Sequence, residues 1–415
     1  MNWNQPADAT KSIVALLLFT SLLVTGLLWP RFGSACEYTK ARQVADLLVA
    51  NQVAAADALL TEFAQQQPTD PMLALYRGAI LWAKAQNTSE EDRPAAQQKA
   101  IDALHTVIEQ ESQSLQANPA QPERQLSLGM AQALIARMYL IQKKWLKAYN
   151  YGRKARDGLR DLIEQHPDRE DAYLVLGLYE YHAGSVPALW KWFAAMIDLS
   201  GDAQLGFQYI ERAIQKAPVV APEAARVLLT EIRASHPLAC DYLPLAQHMR
   251  DHYGGNPQFS VALQDLHIKC GQPQKALAET RHAQNRYLEQ YPDMQTALDI
   301  RALIAYRELG DMQRVDAMAS KLEKNYPFIW NLNKAKTADI NGDRSVATDI
   351  YQSLIEDDSV PHWIQKQARQ YRDQAYRRFK AQSPQREIML NTQCASESSA
   401  VVRQPPREKS NTAKN

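Results

Sequence analysis

The sequence predicts an all-α protein, an array of helix pairs behind an apolar N-terminal segment. Three observations predict it. Glycine is scarce, at 15 of 415 residues, while Ala, Leu, Gln, Glu, Lys and Arg dominate, and these enter a helix at low cost. From Glu37 to about Lys380 apolar residues recur on helical faces roughly ten to twenty residues long. Short polar breaks separate these faces, and the alternation expected of strands is hard to find. Apolar residues make up 46% and charged residues 22%, enough to fold around a core. The formal net charge is +1 with no long basic run, which gives nucleic-acid binding no support.

The N-terminal residues 1–36 carry a targeting signal. Lys11 precedes "SIVALLLFTSLLVTGLLW", Ser12–Trp29, which holds no charge. Pro30 and the small residues Gly33, Ser34 and Ala35 follow, as at a signal-peptide cleavage site. The run is also just long enough to span a bilayer as a transmembrane helix. Arg31, Lys40 and Arg42 beyond it would favour a cytoplasmic side. A cleaved signal or an outward-facing anchor is expected, with an inward-facing anchor as the alternative. Cys36 stands where a lipoprotein carries its lipid, although Gly33 holds the place of the leucine that such a site prefers.

The array is expected over 37–382. Its breaks are "QQPTDP" at 66–71, "EQHPDRED" at 164–171, "QKAPVVAP" at 215–222, "YGGNPQ" at 253–258, "QYPDM" at 290–294 and "KNYPF" at 324–328. Proline ends a helix because it lacks the amide donor, and Asp or Asn beside it caps the next. About eight helix pairs are expected, with a polar insert at 87–98 and a closing helix at Pro361–Phe379. Residues 383–415 lack apolar periodicity and read as a disordered polar tail.

Small and large residues fall in a repeating phase. Ala136, Tyr139, Ala148 and Ala155 form one set; Leu176 and Gly177 with Gly206, Ile210, Ala213 and the terminating Pro218 form another. Tyr306, Gly310–Asp311, Val315, Leu322 and Pro327 form a third, and Ala335, Ala338, Gly342, Ala347 and Tyr351 a fourth. In this phase the chain resembles the tetratricopeptide (TPR) repeat, a helix–turn–helix unit of about 34 residues. "DAYLVLGLYEYHAGSVPALWKWFAAMIDLSGDAQLGFQYIERA" is similar to a divergent TPR branch found in bacterial envelope proteins and in proteins of the eukaryotic inclusion-body-clearance type. The resemblance implies a right-handed superhelical solenoid that is a scaffold and carries no chemistry. Each pair would touch only its neighbours, so the array should lack a sharp single unfolding transition.

The aromatic insert 185–201 holds "ALWKWFAAMIDL", too short and too charged to span a bilayer. Trp192 and Phe193 are expected in the core of the central pair, with a partner-binding knob as the other reading. The resemblance places Tyr173, Tyr179 and Tyr181 on a first helix lining the concave face, where a protein or peptide ligand docks. The competing expectation is that some of them are core.

"HMRDH" puts His248 and His252 one turn apart, a spacing that suits zinc, with Asp251 or Cys240 as a further ligand. Met249 stands where a metalloprotease needs glutamate, so a solvated helix face is expected and no metal. No phosphate-cradling glycine motif and no nucleophile elbow is present, so neither an enzyme nor a cofactor is expected. Cys36, Cys240, Cys270 and Cys394 form no C-x-x-C pair. Cys240 and Cys270 lie about one repeat apart and could pair in an oxidising compartment; free buried thiols are expected.

The function expected is that of a non-catalytic protein-binding scaffold at the bacterial cell envelope, periplasmic or membrane-anchored. The alternatives are a metal-dependent protein or enzyme using the His248/His252 region, or a peripheral membrane protein using residues 188–199.

Overall fold

The computed structural model describes residues 39–185, 200–232, 238 and 240–392. Among these residues there are only α-helices, short 3-10 turns and irregular segments, with no strand. The helices are α1 (Thr39–Val49), α2 (Val53–Gln66), α3 (Met72–Gln86), α4 (Arg93–Ala117), α5 (Pro122–Ile141) and α6 (Trp145–Gln165). There follow α7 (Ala172–Gly184), α8 (Ala203–Lys216), α9 (Ala221–Thr230), α10 (Leu243–His252), α11 (Gln258–Lys269) and α12 (Pro273–Tyr287). The last are α13 (Met294–Leu309), α14 (Met312–Asn325), α15 (Pro327–Asn341), α16 (Arg344–Glu356) and α17 (His362–Asp373). They run as consecutive pairs, with α17 single at the end. None of the described helices is long and apolar enough to cross a membrane. The Ser12–Trp29 run, Cys36, Cys394, Trp192 and Phe193 lie outside the described residues.

Local chemistry sets the helix ends. The Asp202 carboxylate accepts from the amides of Gln204 and Leu205 at 2.8 and 3.2 Å and so opens α8. Pro122, Pro222, Pro273 and Pro327 sit in the first turns of α5, α9, α12 and α15, where the missing donor costs nothing. Five pairs share one turn between their helices. Asn51, Lys143, Gly271, Gly310 and Gly342 take positive φ. In each case the next amide bonds back to the carbonyl five residues earlier, at 2.8–3.0 Å.

Within pairs, missing side chains let the helices meet. A methyl group on Gly78 would stand 2.5 Å from Leu104, and one on Gly129 would stand 2.5 Å from Leu159. At the crossing of α7 and α8 the contact is backbone on backbone, because a Cβ on Gly177 would lie 2.8 Å from the Gly206 carbonyl oxygen.

The expectation of contacts between neighbours alone is corrected here. Helix α1 packs against the distant α9. Its Arg42 donates to the Pro218 carbonyl at 3.0 Å, and its Asp46 accepts from the Tyr253 hydroxyl at 2.8 Å. Gly255 passes so close to Ala50 that a Cβ would lie 2.1 Å from its carbonyl oxygen. Apart from a polar stripe of Glu223, Arg226 and Thr230, helix α9 is apolar, and that apolar surface must be buried. Ala221, Ala224, Ala225, Val227, Leu228 and Leu229 are all fully enclosed. Four earlier first helices hold its segment. Arg42 of α1 reaches Pro218, and Val219 joins the cluster around Tyr76 and Ile80 of α3. Arg137 of α5 pairs with Glu223 and Glu231, and Asp171 at the start of α7 accepts from the amides of Val219 and Val220. The segment from Pro218 to Glu231 thus bonds or packs to the first helix of each of the first four pairs. Burial pushes the Asp171 carboxyl up to about 6, against the pull of those two amides. At Glu223 burial acts in the same upward direction, but Arg226 and Arg137 outweigh it and hold the carboxyl low.

Two further expectations change. Cys240 and Cys270 are not free thiols; they form a disulfide with Cα atoms 5.7 Å apart. The closing helix ends at Asp373 and not at Phe379, and residues 383–392 are not a loose tail. From Gln374 to Thr392 the chain runs without helix back along the array, and Tyr376, Ile388, Leu390 and Asn391 are buried. No second helix follows α17 among the described residues. The extended segment, hereafter the strap, covers the array instead.

Candidate peptide-binding surface

The strap crosses three stations, each built from polar groups that helix pairing brings to one side. The first lies on α13 and α15. Arg307, 2% exposed, donates to the Asn333 amide oxygen at 2.5 Å, to the Tyr376 hydroxyl at 3.1 Å and to Glu308 at 3.2 Å. Glu308 in turn accepts from the Tyr376 hydroxyl at 2.7 Å and from the Phe379 amide at 3.0 Å. Asp339 accepts from the Tyr376 amide at 2.8 Å and from the Tyr351 hydroxyl at 3.0 Å. Lys336 donates to Gln367 at 2.8 Å and lies 4.8 and 5.4 Å over the rings of Tyr371 and Tyr376. Burial, reinforced by Arg307, lowers the Lys336 ammonium to about 7. Burial, opposed by the Arg307 charge and reinforced by Glu308, pushes the Tyr376 hydroxyl up.

The second station lies beside the disulfide. The Gln382 amide donates to the Cys270 carbonyl at 3.0 Å. Gly271 makes the approach possible: a Cβ there would lie 2.5 Å from the backbone of Lys380 and Ala381. Asp241, next to Cys240, accepts from the amides of Gln385 at 2.6 Å and Arg386 at 3.3 Å. These amides, with the Arg386 guanidinium, hold the Asp241 carboxyl below its ordinary range. Arg386 also pairs with Glu211 at 2.7 Å.

At the third station Asn391 is clamped from all sides. Its amide donates to the Ile214 carbonyl at 2.8 Å, and its side chain donates to the carbonyls of Lys216 and Ala217 at 2.9 and 3.0 Å. Its own carbonyl accepts from Arg42 at 3.0 Å. Ile388 and Leu390 point inward while Met389 between them is half exposed, the period of an extended chain. Beside this end an open cavity of about 730 Å³ remains, lined by Asp168, Glu170, Lys216 and Glu387 among others.

Strap amides from Tyr376 to Asn391 donate into carboxylates and carbonyls of the array. Such main-chain bonding holds an extended peptide with little regard to its sequence, and side-chain pockets add selectivity. The arrangement can therefore bind and orient a chain segment.

Tyr173, Tyr179 and Tyr181, which the sequence offers both as core and as candidates for a concave binding face, pack against neighbours. Tyr173 is 5% exposed, edge-on to Tyr209 at 5.1 Å with the Arg212 guanidinium 3.8 Å over its ring. Tyr179 is half-buried, and its hydroxyl accepts from Arg156 of α6 at 2.9 Å. Tyr181 is buried at the crossing, where Gly206 abuts its amide. Ala213 is fully buried, and Pro218 serves through its carbonyl. His248 and His252 stack with ring centres 3.8 Å apart, and His252 Nδ1 lies 3.0 Å from the His248 carbonyl. Cys240 is committed to its disulfide, and no group of three or more metal-ligating side chains is found among the described residues.

The polar composition of the strap hides it in the sequence. The alternation of Ile388 and Leu390 and the pair Tyr376 and Phe379 were the available signal. Comparison with family models, with curated proteins and with solved structures yields no match.

Proposed function

We propose that the chain is a non-catalytic interaction scaffold of the bacterial cell envelope, built on TPR-type pairs. On this reading it takes an extended segment of a partner protein on the surface now occupied by the strap. The observation that carries the reading is the row of strap amides received by Asp339, Glu308, Cys270, Asp241 and Ile214. A surface that holds one extended chain through its main chain can hold another. The binding place differs from the tyrosine-lined face expected from the sequence. The phase of small residues supports the TPR assignment. The Cys240–Cys270 bond and the Ser12–Trp29 run support an oxidising compartment.

The test is a photo-crosslinker placed at Gln272, whose side chain lies 3.5 Å from the Gln382 carbonyl. In cells it should mark the strap in the resting chain. When Asn391→Ala loosens the strap, it should mark an extended segment of another protein. Crosslinks to the strap alone, even in the loosened variant, would sink the proposal.

A further inference from the structure

The turn between α5 and α6 carries an exposed apolar tip. Leu140 and Ile141 are 40% and 53% exposed, and Trp145 and Leu146 are 63% and 68% exposed. Exposed large apolar side chains are ordinary when scattered; four within seven residues form a patch. Lys143, Lys144 and Lys147 stand exposed among them. The stretch 125–156 has seven Lys or Arg and no Asp or Glu; Arg137 pairs with Glu223 and Glu231 and Arg156 with Asp157, which leaves five, three of them at the tip.

The backbone adds an independent observation. Lys143 holds the left-handed position that Gly271, Gly310 and Gly342 hold in three other pairs, at φ 57° and with the same bond from the next amide. A side chain with a Cβ is disfavoured there. Such strain, where it persists, often marks a working site. A glycine would have made this turn more cheaply, but it would have removed a cation from the centre of the tip.

We propose that the α5–α6 tip docks on an anionic phospholipid bilayer, with Trp145 and Leu146 at the headgroup–acyl boundary and the lysines on the phosphates. A tryptophan and aliphatic side chains ringed by lysines suit that boundary. A protein partner fits less well, because lysine is depleted from protein interfaces. The attraction is confined to this one turn. Glu90, Glu91 and Asp92 stand on the preceding turn of the array, which Gln142 and Gln97 link to this one at 3.3 Å. Docking by a single tip would set the orientation of the strap surface toward the membrane. This goes beyond the scaffold reading and does not depend on it.

The experiment uses the full chain with Trp145 replaced by p-benzoyl-phenylalanine. It is irradiated with phosphatidylcholine vesicles and with vesicles that also contain phosphatidylglycerol. Lipid adducts on the peptide bearing residue 145 are expected only with phosphatidylglycerol. Changing Lys143, Lys144 and Lys147 to Gln should weaken this binding on the order of a hundredfold. In the unmodified chain, amide exchange over residues 140–147 should slow in the anionic vesicles alone, which checks that the probe has not created the effect. The proposal is overturned by absence of lipid adducts, by equal adducts in both vesicles, or by crosslinks to protein in their place.

Discussion

Arg42, on the first helix, donates to the main-chain carbonyl of Asn391, 349 residues further along the chain, at 3.0 Å. The same guanidinium is fully buried and also bonds Asp46 and the Pro218 carbonyl, each at 3.0 Å. One side chain thus joins the start of the array, the entry to α9 and the end of the strap. An open solenoid has no such bond, because each repeat touches only its neighbours.

Replacing Arg42 with Met should therefore act far from its own helix. It leaves the buried Asp46 without its cation, a change that costs about 3–5 kcal/mol. Urea unfolding checks this, and the double variant Arg42→Met with Asp46→Leu should recover much of the loss. Helices α3–α11 and the end of the strap should unfold in one transition, since one core cluster joins Leu75 to Cys270, Ile388 and Leu390. A succession of small transitions there would favour the open array.

The crossing of α7 and α8 gives a second prediction. A Cβ on Gly206 would lie 2.3 Å from the Tyr181 amide, and backbone cannot swing aside as a side chain can. Gly206→Ala should destabilise the fold by about 1–3 kcal/mol. Gly177→Ala meets the same crossing, so the two changes should not be additive. Thermal melts of the two single variants and the double variant read both effects. An unshifted midpoint in Gly206→Ala would contradict the close approach.

These positions also show what the sequence makes legible. Gly177 and Gly206 read as a helix contact because small residues recur in phase with the apolar faces, a local pattern. The helix order followed from the same periodicity. The ring closure through Arg42 and the strap could not be read this way. An arginine just past an apolar segment looks like a topology signal, and nothing near it in sequence names Asn391 as its partner. The buried set of Arg307, Glu308 and Lys336 looks like the charged face of a solvated helix until the strap covers it. Cys240 and Cys270 had the right separation, but spacing alone does not distinguish a bond from two buried thiols.

Lys336 supplies a pH prediction. Burial lowers its ammonium to about 7 where the strap covers it, against 10.5 for a free lysine. Between these values the unfolded chain holds a proton that the folded chain has released, so stability rises with pH across this window and falls as pH drops toward 7. The urea midpoint should increase between about pH 7 and about pH 9. Lys336→Met, which keeps the apolar stem and cannot titrate, should flatten this rise. The same slope in wild type and variant would remove Lys336 as its source.

The central claim is that the strap is a bound extended peptide that happens to be covalently attached. A protease site placed between Asp373 and Gln374 tests it directly: after cleavage, exchange of the cut strap for a fluorescent peptide of residues 374–392 is followed by anisotropy. The array should keep its helicity, the labelled peptide should bind as the cut strap leaves, and Asp241→Asn and Glu308→Gln should weaken its binding. Collapse of helicity on cleavage, or a cut strap that never exchanges, would show the segment to be an ordinary part of the core and would contradict the account.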